Sequence, residues 1–412
     1  MPGPQTPNKR LSTPSYQEAL DWLYAQTRGG RPRALWRMQA LLTTLALAPP
    51  PSSVHVVGTN GKGTVAAMIA AGLTLSGQRT GLFLSPHVER FSERVSVDGL
   101  EIEEEDVVDF SARLMRLELG CQASFFELTL ALALDHFARQ RVAIAVVEAG
   151  VGARHDATLA LGDAAACVIT NVASDHLDTI GPRLRDIALD KADAIRPGKP
   201  VVTGARGKAL EIVAEVARAR GSPLFVAGGG DALFRLPSGL PHGALGSGAL
   251  RHNRRLAAAA LRLLGMAETA VRGALEAPRL PARAEVFEVR ARQVILDGAH
   301  NPSASRILSR AVPKPYVLLF AALPKKLGEQ TLAQLEPAAL ATYVTRAARQ
   351  PSSLSPRAGR IFIDDPAEAL NCALNACPAG ATLVIAGSLY LAGELRPTLR
   401  ALQRHGTRQT AE

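Results

Sequence analysis

The stretch GTNGKGTV at residues 58–65 follows the apolar run VHVV at 54–57 and precedes the alanine-rich stretch AAMIAAGLTLSG at 66–77. This order predicts a strand, a glycine loop and a helix, an arrangement in which backbone N–H groups and a helix N-terminus bind anionic oxygens. In the common phosphate-loop pattern Gly-Lys is followed directly by Ser or Thr, but here Gly63 stands between Lys62 and Thr64. Lys62 supplies a positive charge and Thr64 a hydroxyl that could bind magnesium. The stretch therefore predicts a phosphate loop with one extra glycine.

The remainder of the chain alternates short apolar runs with helical patterns. The apolar runs before residue 278 lie at 54–57, 80–84, 142–147, 167–170 and 200–203. This alternation predicts parallel strands joined by crossover helices. Two prolines in PRLPARA at 278–284 interrupt it, and a second α/β series extends from QVILD at 293–297 to TLVIAGS at 382–388. We expect a disordered tail at 1–15, a mostly parallel α/β domain at 16–284 and a smaller Rossmann-like α/β domain at 285–412.

Composition excludes several classes of protein. No run among the 412 residues is long and apolar enough to cross a membrane, and the N-terminus lacks the apolar core of a signal peptide. The four scattered cysteines form no zinc pattern, so we expect a reduced, cytoplasmic protein. The net charge of +10 favours anionic ligands. Because only 4% of residues are aromatic and no basic block is interleaved with them, we expect no nucleic-acid partner and no membrane partner.

Polar side chains follow several of the predicted strands. Ser85 and His87 come after the second apolar run, Glu148 after the third, and Asn171, Asp175 and His176 after the fourth. In an open parallel sheet, ligands bind beyond the carboxyl ends of the strands. Magnesium prefers oxygen ligands and retains several waters, so one or two carboxylates suffice to hold it. The sequence therefore predicts a phosphate and magnesium site at this edge.

One lysine occupies an unexpected position in a helical pattern. In LRDIALDKADAI at 184–195, Lys191 falls near the middle of an apolar face, whereas the neighbouring Asp190 is expected to point elsewhere. Three interpretations remain open for such a lysine. It extends to the edge of the face, it meets an anion, or it loses its charge and becomes chemically available.

Seven motifs appear in the same order as in a known family. They are GTNGKGT, LSPHVERFSERVSVDG, SFFELT, VVEAGVGARHDAT, SDHLDTIGPRLRDIALDKADAIRPGKPVV, ILDGAHNPSA and VIAGSLYLAGELR. Together they resemble the folylpolyglutamate synthase family, including its bifunctional dihydrofolate synthase members, within the Mur ligase superfamily. The resemblance covers nearly the whole chain. It implies an N-terminal Mur ligase domain of phosphate-loop type with a mostly parallel sheet, followed by the smaller Rossmann-like domain.

The resemblance also implies roles for individual residues. The catalytic residues would be Lys62, Lys191, His176 and His300. The ATP-binding residues would be Gly58, Thr59, Asn60, Gly61, Lys62, Gly63, Thr64, Asn253, Arg283 and Asp297. Two magnesium ions would be held by Thr64, Ser85, Glu148, His176 and Lys191, the last as a carbamate. The pterin-containing substrate would contact Ser85, His87, Ser124 and Phe125.

The implied activity is ATP-dependent amide formation between L-glutamate and folate through an acyl phosphate, and we expect dihydropteroate to be a substrate as well. One alternative is a folylpolyglutamate synthase alone, and another is a Mur-type ligase that acts on a different carboxylate. A non-catalytic nucleotide-binding module is a third, but it would not need Glu148, His176 and Lys191 together. We expect a monomer.

Overall fold

We describe the chain from a computed structural model. The described residues are 13–26, 34–117, 123–175, 177–228, 230–241, 245, 248–277, 280–324, 327–347 and 352–409. Most of the expected tail, residues 1–12, lies outside these ranges, and so does His176.

The larger sheet has eight strands in the order β4-β3-β2-β5-β1-β6-β7-β8. Their bounds are β1 (Ser52–Val57), β2 (Thr80–Phe83), β3 (Val95–Val97), β4 (Leu100–Glu101), β5 (Ile144–Glu148), β6 (Ala166–Ile169), β7 (Val201–Thr203) and β8 (Leu224–Val226). The pairings from β2 through β5, β1 and β6 to β7 are parallel, as predicted, and the unpredicted strand β8 continues the parallel set beside β7. Strand β1 lies in the interior of the sheet, so the glycine loop leaves from the middle of its carboxyl edge.

The sequence analysis missed the antiparallel hairpin formed by β3 and β4, although its turn signal was present. Asp98 and Gly99 have φ values of 51° and 83° between the two strands. Positive φ at two successive positions matches the twist of a two-residue hairpin, which explains an Asp-Gly pair at this point. Strand β2 pairs with β3, so the hairpin extends the sheet beyond the predicted parallel set.

The smaller sheet has six strands in the order β13-β12-β11-β14-β10-β9. Their bounds are β9 (Glu285–Val289), β10 (Arg292–Leu296), β11 (Tyr316–Phe320), β12 (Ala339–Val344), β13 (Arg360–Phe362) and β14 (Thr382–Ala386). Five of them coincide with the predicted second series and pair in parallel. The additional strand, β9, pairs antiparallel with β10 at one edge. The predicted α/β fold class, with two sheets of unequal size, is confirmed.

Helices connect the strands of both sheets. They are α1 (Tyr16–Ala25), α2 (Leu35–Thr44), α3 (Lys62–Leu75), α4 (Glu104–Arg116), α5 (Phe125–Arg139), α6 (Leu177–Ile180), α7 (Leu184–Ala192), α8 (Gly207–Ala219), α9 (Gly248–Leu263), α10 (Glu268–Glu276), α11 (Pro302–Ala311), α12 (Gly328–Leu332), α13 (Pro366–Ala376) and α14 (Leu389–Gln409). In the described part of the chain, none of these helices has the length and hydropathy needed to cross a membrane.

Helix α3 is apolar on nearly all sides because it is enclosed by the sheet, α9 and α10. Val65, Ile69 and Leu73 are fully buried in it. At Gly72 an added Cβ would lie 2.5 Å from a methyl carbon of Leu261 in α9, so the two helices meet at a glycine. This packing fixes the position of the N-terminus of α3, where the glycine loop ends.

Candidate active site

The loop between β1 and α3 requires glycine at two positions. Gly58 and Gly61 have φ values of +146° and +82°, a region that side chains rarely adopt. A Cβ at Gly58 would lie 1.9 Å from Thr170 Oγ1, and one at Gly61 would lie 2.6 Å from Asn253 Oδ1. Both glycines are therefore needed for backbone conformation and for close packing. The contact also places Asn253, in α9, directly against the loop.

Residues that follow β6 hold the loop in shape. Asn171 Oδ1 accepts the N–H groups of Thr59 and Asn60 at 3.2 and 2.9 Å, and Thr170 Oγ1 donates to the carbonyl of Asn60 at 2.7 Å. Thr59 Oγ1 donates to the carbonyl of Ala173 at 3.1 Å. Since these two loop amides already have acceptors, the N–H groups of the first turn of α3, which have no intrahelical acceptor, are the ones that can bind an anion.

Glu148 lies against the start of α3. It is the last residue of β5, is only 5% exposed, and its Oε2 accepts the N–H of Ser85 at 3.0 Å. A Cβ at Gly63 would lie 3.1 Å from the same oxygen. Burial raises the pKa of Glu148, and the positive charge of Lys62 is the largest opposing effect. The structure thus brings Lys62, Gly63, Ser85 and Glu148 together, as the strand-end argument predicted.

No three His, Cys, Asp or Glu side chains in the described ranges are arranged as a metal site. The predicted ligand His176 falls outside those ranges. Among the described residues, the Glu148 carboxylate lies against Gly63 and beside Ser85, and Thr64 follows Gly63 in the chain. One carboxylate with hydroxyl ligands suits magnesium, which completes its octahedron with water.

Lys191 is buried, as its helical position predicted, with 3% exposure. Its Nζ donates to the carbonyl oxygen of Gly58 at 3.1 Å, so α7 touches the glycine loop. Asp190 contacts a different partner from Lys191, but it is also buried, which the sequence did not indicate: it is 6% exposed and its Oδ2 accepts the N–H of Ala153 at 2.8 Å. The reason is that the loop after β5 folds back onto α7, with Gly152 at a φ of +67° packed against the Asp190 carboxylate.

The segments that flank the β9–β10 pair contribute Arg283 on one side and Asp297 and His300 on the other. The two carboxylate oxygens of Asp297 accept the N–H groups of Ala284 and Ala299, each at 2.8 Å. Burial raises the pKa of Asp297, and Arg283 opposes this shift. Asp297 therefore fixes the backbone on both sides of the strand pair that carries Arg283 and His300.

His300 faces a carboxylate of the first domain. Its Nδ1 lies 3.0 Å from the carbonyl oxygen of Gly298, and its Nε2 lies 4.0 Å from Asp175 Oδ2. A carbonyl oxygen only accepts hydrogen bonds, so this contact places a proton on Nδ1. In the neutral ring Nε2 is then the nitrogen that accepts a proton.

Asn301 connects the two domains, and the sequence analysis did not identify it. Its Nδ2 donates to Asn60 Oδ1 at 2.9 Å and to Asp175 Oδ2 at 3.3 Å, while its Oδ1 caps α11 by accepting the N–H of Ala304. The available signal was Asn-Pro after DGAH, a common start for a helix. The residue next to His300 thus contacts the glycine loop directly.

These groups surround one cavity of about 450 Å³, a size typical of small-molecule sites. The predicted site residues that line it are Thr59, Asn60, Gly61, Lys62, Gly63, Ser85, Phe125, Glu148, Arg283, Asp297 and His300. The described site residues that do not line it are Gly58, Thr64, His87, Ser124, Asn253 and Lys191. Asp175, which follows a predicted strand, also lines the cavity, and unpredicted lining residues include Arg94, Asp156 and Tyr390.

Aromatic side chains form one end of the cavity. The ring of Phe125 stacks on Tyr24 with a centroid distance of 5.0 Å, and the guanidinium carbon of Arg94 lies 5.0 Å from the Phe125 centroid. Ser124, expected at the substrate, is 5% exposed and caps α5. Burial, followed by the charge of Arg94, lowers the pKa of His87 to about 3. Neutral His87 accepts a hydrogen bond from Arg94 Nε at 2.7 Å and so supports Arg94 behind the cavity wall.

Comparisons with known proteins agree over nearly the whole chain. The Mur ligase middle domain family model matches residues 56–196. A folylpolyglutamate synthase of Lacticaseibacillus casei is 29% identical over 93% of this chain and 99% of its own length. The structure of E. coli FolC in complex with DHPP and ADP has a TM-score of 0.82 and 27% identity, covering 94% of this chain and 98% of that chain.

A second solved structure was obtained with more ligands. It is a bifunctional folylpolyglutamate synthase/dihydrofolate synthase with Mn, AMPPNP and L-glutamate bound. It has a TM-score of 0.79 and 27% identity, and the match covers 94% of this chain and all of that chain. The similarity therefore includes both sheets and the cavity between them.

Proposed function

Since this chain belongs to the folylpolyglutamate and dihydrofolate synthase family of Mur ligases, we propose that it uses ATP to join L-glutamate to folate and to dihydropteroate. The observation that carries this proposal is a single cavity lined by the glycine loop, Glu148, Phe125 and His300. It offers a phosphate-binding end, an aromatic end and a polar group from the second domain. These are the parts that a reaction between ATP, an aromatic carboxylate and an amine requires.

The nucleotide would occupy the loop side of the cavity. The first-turn amides of α3 and the charge of Lys62 would bind the phosphates. Asn253 lies against Gly61, and Arg283, just before β9, lines the cavity, so both would flank the nucleoside. Asp297 supports this arrangement through its two backbone hydrogen bonds rather than through a direct contact.

The residues present fit a divalent cation beside the phosphates. Thr64, Ser85 and Glu148 would hold one ion, because the buried carboxylate of Glu148 requires positive charge nearby. When bound, such an ion offsets negative charge on phosphoryl oxygens. His176 and carbamylated Lys191 would hold a second ion. A relative binds Mn together with AMPPNP, which supports the use of ATP and a divalent metal here.

In the proposed reaction, the substrate carboxylate attacks the γ-phosphorus, ADP leaves and an acyl phosphate forms. The amino group of glutamate then attacks the acyl carbon, and phosphate leaves as the amide forms. His300 is suited to receive the proton that the amine loses, because Nε2 is the acceptor nitrogen of its neutral ring. Asp175, 4.0 Å away, would stabilise the resulting imidazolium. Lys62 would neutralise charge on the transferred phosphoryl group.

The two-domain arrangement protects the intermediate. We assign residues 16–284 to the nucleotide-binding domain and 285–412 to the second domain, because each range contains one of the sheets. The hydrogen bonds between Asn301 and Asn60 join the second domain to the glycine loop, and such contact between the domains would limit the access of water to an acyl phosphate. We further propose that the protein is a cytoplasmic monomer.

The test is ADP release by the purified protein with ATP, magnesium and L-glutamate. Dihydropteroate is supplied in one reaction and tetrahydrofolate in the other, and E148Q serves as the inactive control. Turnover with both substrates supports the proposal, and turnover with tetrahydrofolate alone restricts it to folylpolyglutamate synthesis. Turnover with neither, together with intact ATP binding, would overturn it and redirect the search to UDP-sugar peptide substrates.

A further inference from the structure

Arg94 is a cavity residue without an assigned role. It ends a short 3₁₀ turn (Phe91–Arg94), and its carbonyl oxygen accepts the N–H of Leu84 at 2.9 Å, which ties it to the end of β2. The whole residue is only 4% exposed, yet it lines the same cavity as Phe125 and Glu148. Its position is therefore built into the fold of the first domain.

Within the described part of the chain, no ion pair balances the charge of Arg94. Among the residues that the structure describes, the only side-chain hydrogen bond of Arg94 is the one from Nε to His87 Nδ1. Glu93 and Glu148 act on it electrostatically, but neither lies within ion-pair distance in the described chain. The Glu93 carboxylate instead accepts the N–H groups of residues 88–90.

Other buried arginines in the described ranges have their charge or their donors satisfied. Arg37 pairs with Glu127 at 3.3 Å, Arg396 pairs with Glu285 and Glu89, and Arg254 donates to the carbonyls of Leu275 and Pro241. Arg94 instead lines the cavity, where its guanidinium lies against the ring of Phe125. A guanidinium has a planar set of donors that matches a carboxylate with two parallel hydrogen bonds. A buried cation of this kind, with donors facing a ligand cavity, is suited to receive an anion from the ligand.

We propose that Arg94 binds a carboxylate of the pteroyl substrate, an inference that rests on the proposed function. The phosphates of ATP have the glycine loop and Lys62, whereas Arg94 lies at the aromatic end, against Phe125. Two carboxylates share the required chemistry. One is the reacting carboxylate, which dihydropteroate and folates both present to the γ-phosphate of ATP. The other is the α-carboxylate of the glutamyl residue, which only folates carry.

The experiment measures KM for each substrate in R94Q and R94K by ADP release. Loss of a charge-assisted hydrogen-bond pair should raise the KM for the pteroyl substrate by about 10- to 100-fold in R94Q, and less in R94K. The KM for ATP should not change. A rise for tetrahydrofolate alone identifies the α-carboxylate, and a rise for both tetrahydrofolate and dihydropteroate identifies the reacting carboxylate.

R90Q is the matched control. Arg90 lies four residues away and does not line this cavity. Its side chain is 61% exposed and pairs with Glu101 at 2.8 Å, so R90Q removes the same charge outside the site. It should keep the wild-type KM values. Thermal unfolding checks that R94Q folds. If it does not, the KM values of R94K decide by the same criteria. In a folded R94A variant, added guanidinium ion should partly restore the KM for the pteroyl substrate.

Two results would overturn the role of Arg94. One is an unchanged KM for both pteroyl substrates in the folded variants, and the other is a rise in the KM for ATP instead. Failure of the proposed function is a separate result, since the wild-type protein itself would then release no ADP with either pteroyl substrate.

Discussion

Replacing Gly63 with alanine would press a methyl group against the carboxylate of Glu148. An ideal Cβ at this position lies 3.1 Å from Glu148 Oε2 and 3.2 Å from Leu280 Cδ1, so these neighbouring atoms must shift by a few tenths of an ångström. Glu148 has little room to do so, because it is buried and the same oxygen accepts the N–H of Ser85 at 3.0 Å. The extra glycine of the loop therefore makes room for this carboxylate.

The effects on stability and on activity should differ. Gly63 lies in the first turn of α3 without a positive φ, so alanine gains about 0.5–1 kcal/mol of helix stability relative to glycine, which offsets the tight contact. The free energy of unfolding should thus change by less than about 1 kcal/mol. Displacing a metal-binding carboxylate costs about 10- to 100-fold in metal affinity or activity. We expect the half-saturating magnesium concentration to rise, and kcat/KM to fall, by about tenfold.

The assay is ADP release as a function of magnesium concentration, with urea unfolding measured in parallel. G248A is the control, because Gly248 begins α9 with nothing within 4 Å of an added Cβ. It should leave both readouts at wild-type values. Full activity of G63A with an unchanged magnesium dependence would refute the steric argument, and so would a loss of activity that parallels a loss of folded protein.

Three further substitutions test other parts of the structure. His55 is buried without a hydrogen-bond partner among the described residues, and burial lowers its pKa to about 3. Below about pH 6.5 only the unfolded state then binds a proton on His55, so the free energy of unfolding falls by about 1.4 kcal/mol for each pH unit. H55L should remove this contribution to the pH dependence of the unfolding free energy, measured by urea unfolding between pH 7 and pH 5. Among the described residues, R396M leaves Glu285 without an ion-pair partner and Glu89 with only Arg400 at 3.6 Å, so it should cost about 3 kcal/mol of unfolding free energy; an unchanged urea midpoint would contradict the pairing. K191A should lower kcat by about 10- to 100-fold, and mass spectrometry in bicarbonate should detect the carbamate; full activity of K191A without a carbamate on the wild-type lysine would exclude that role.

The sequence predicted the parts of the site that depend on local patterns. Ser85, Glu148 and Asn171 were found because each follows an apolar run, and parallel strands bring their carboxyl ends to one edge. Lys191 was found because helical periodicity placed it on an apolar face, and it is buried there against Gly58. The burial of Asp190 was not predicted, because the same periodicity does not show that another loop packs onto that side of α7.

What the sequence could not supply are contacts between distant segments. Asn301 and Asn60 are 241 residues apart, and only the packing of the two domains makes them partners. Arg94 gives no local signal either, because an arginine after Glu93 in a polar segment is usually solvated. Its burial becomes evident only when Phe125, from another helix, is placed beside it.

The loop at residues 85–94 connects these distant parts. Its first residue, Ser85, donates its N–H to Glu148, and its last, Arg94, lines the aromatic end of the cavity. Between them, Glu89 pairs with Arg396 of α14, and the carbonyl of residue 88 lies so close to Gly393 that an added Cβ there would be 1.8 Å away. Both ends of this short loop reach the cavity. The contact of the second domain with the middle of the loop therefore fixes the positions of the Glu148 carboxylate and the Arg94 guanidinium together. The same contact that closes the two domains therefore also sets the geometry in which substrate and metal would bind.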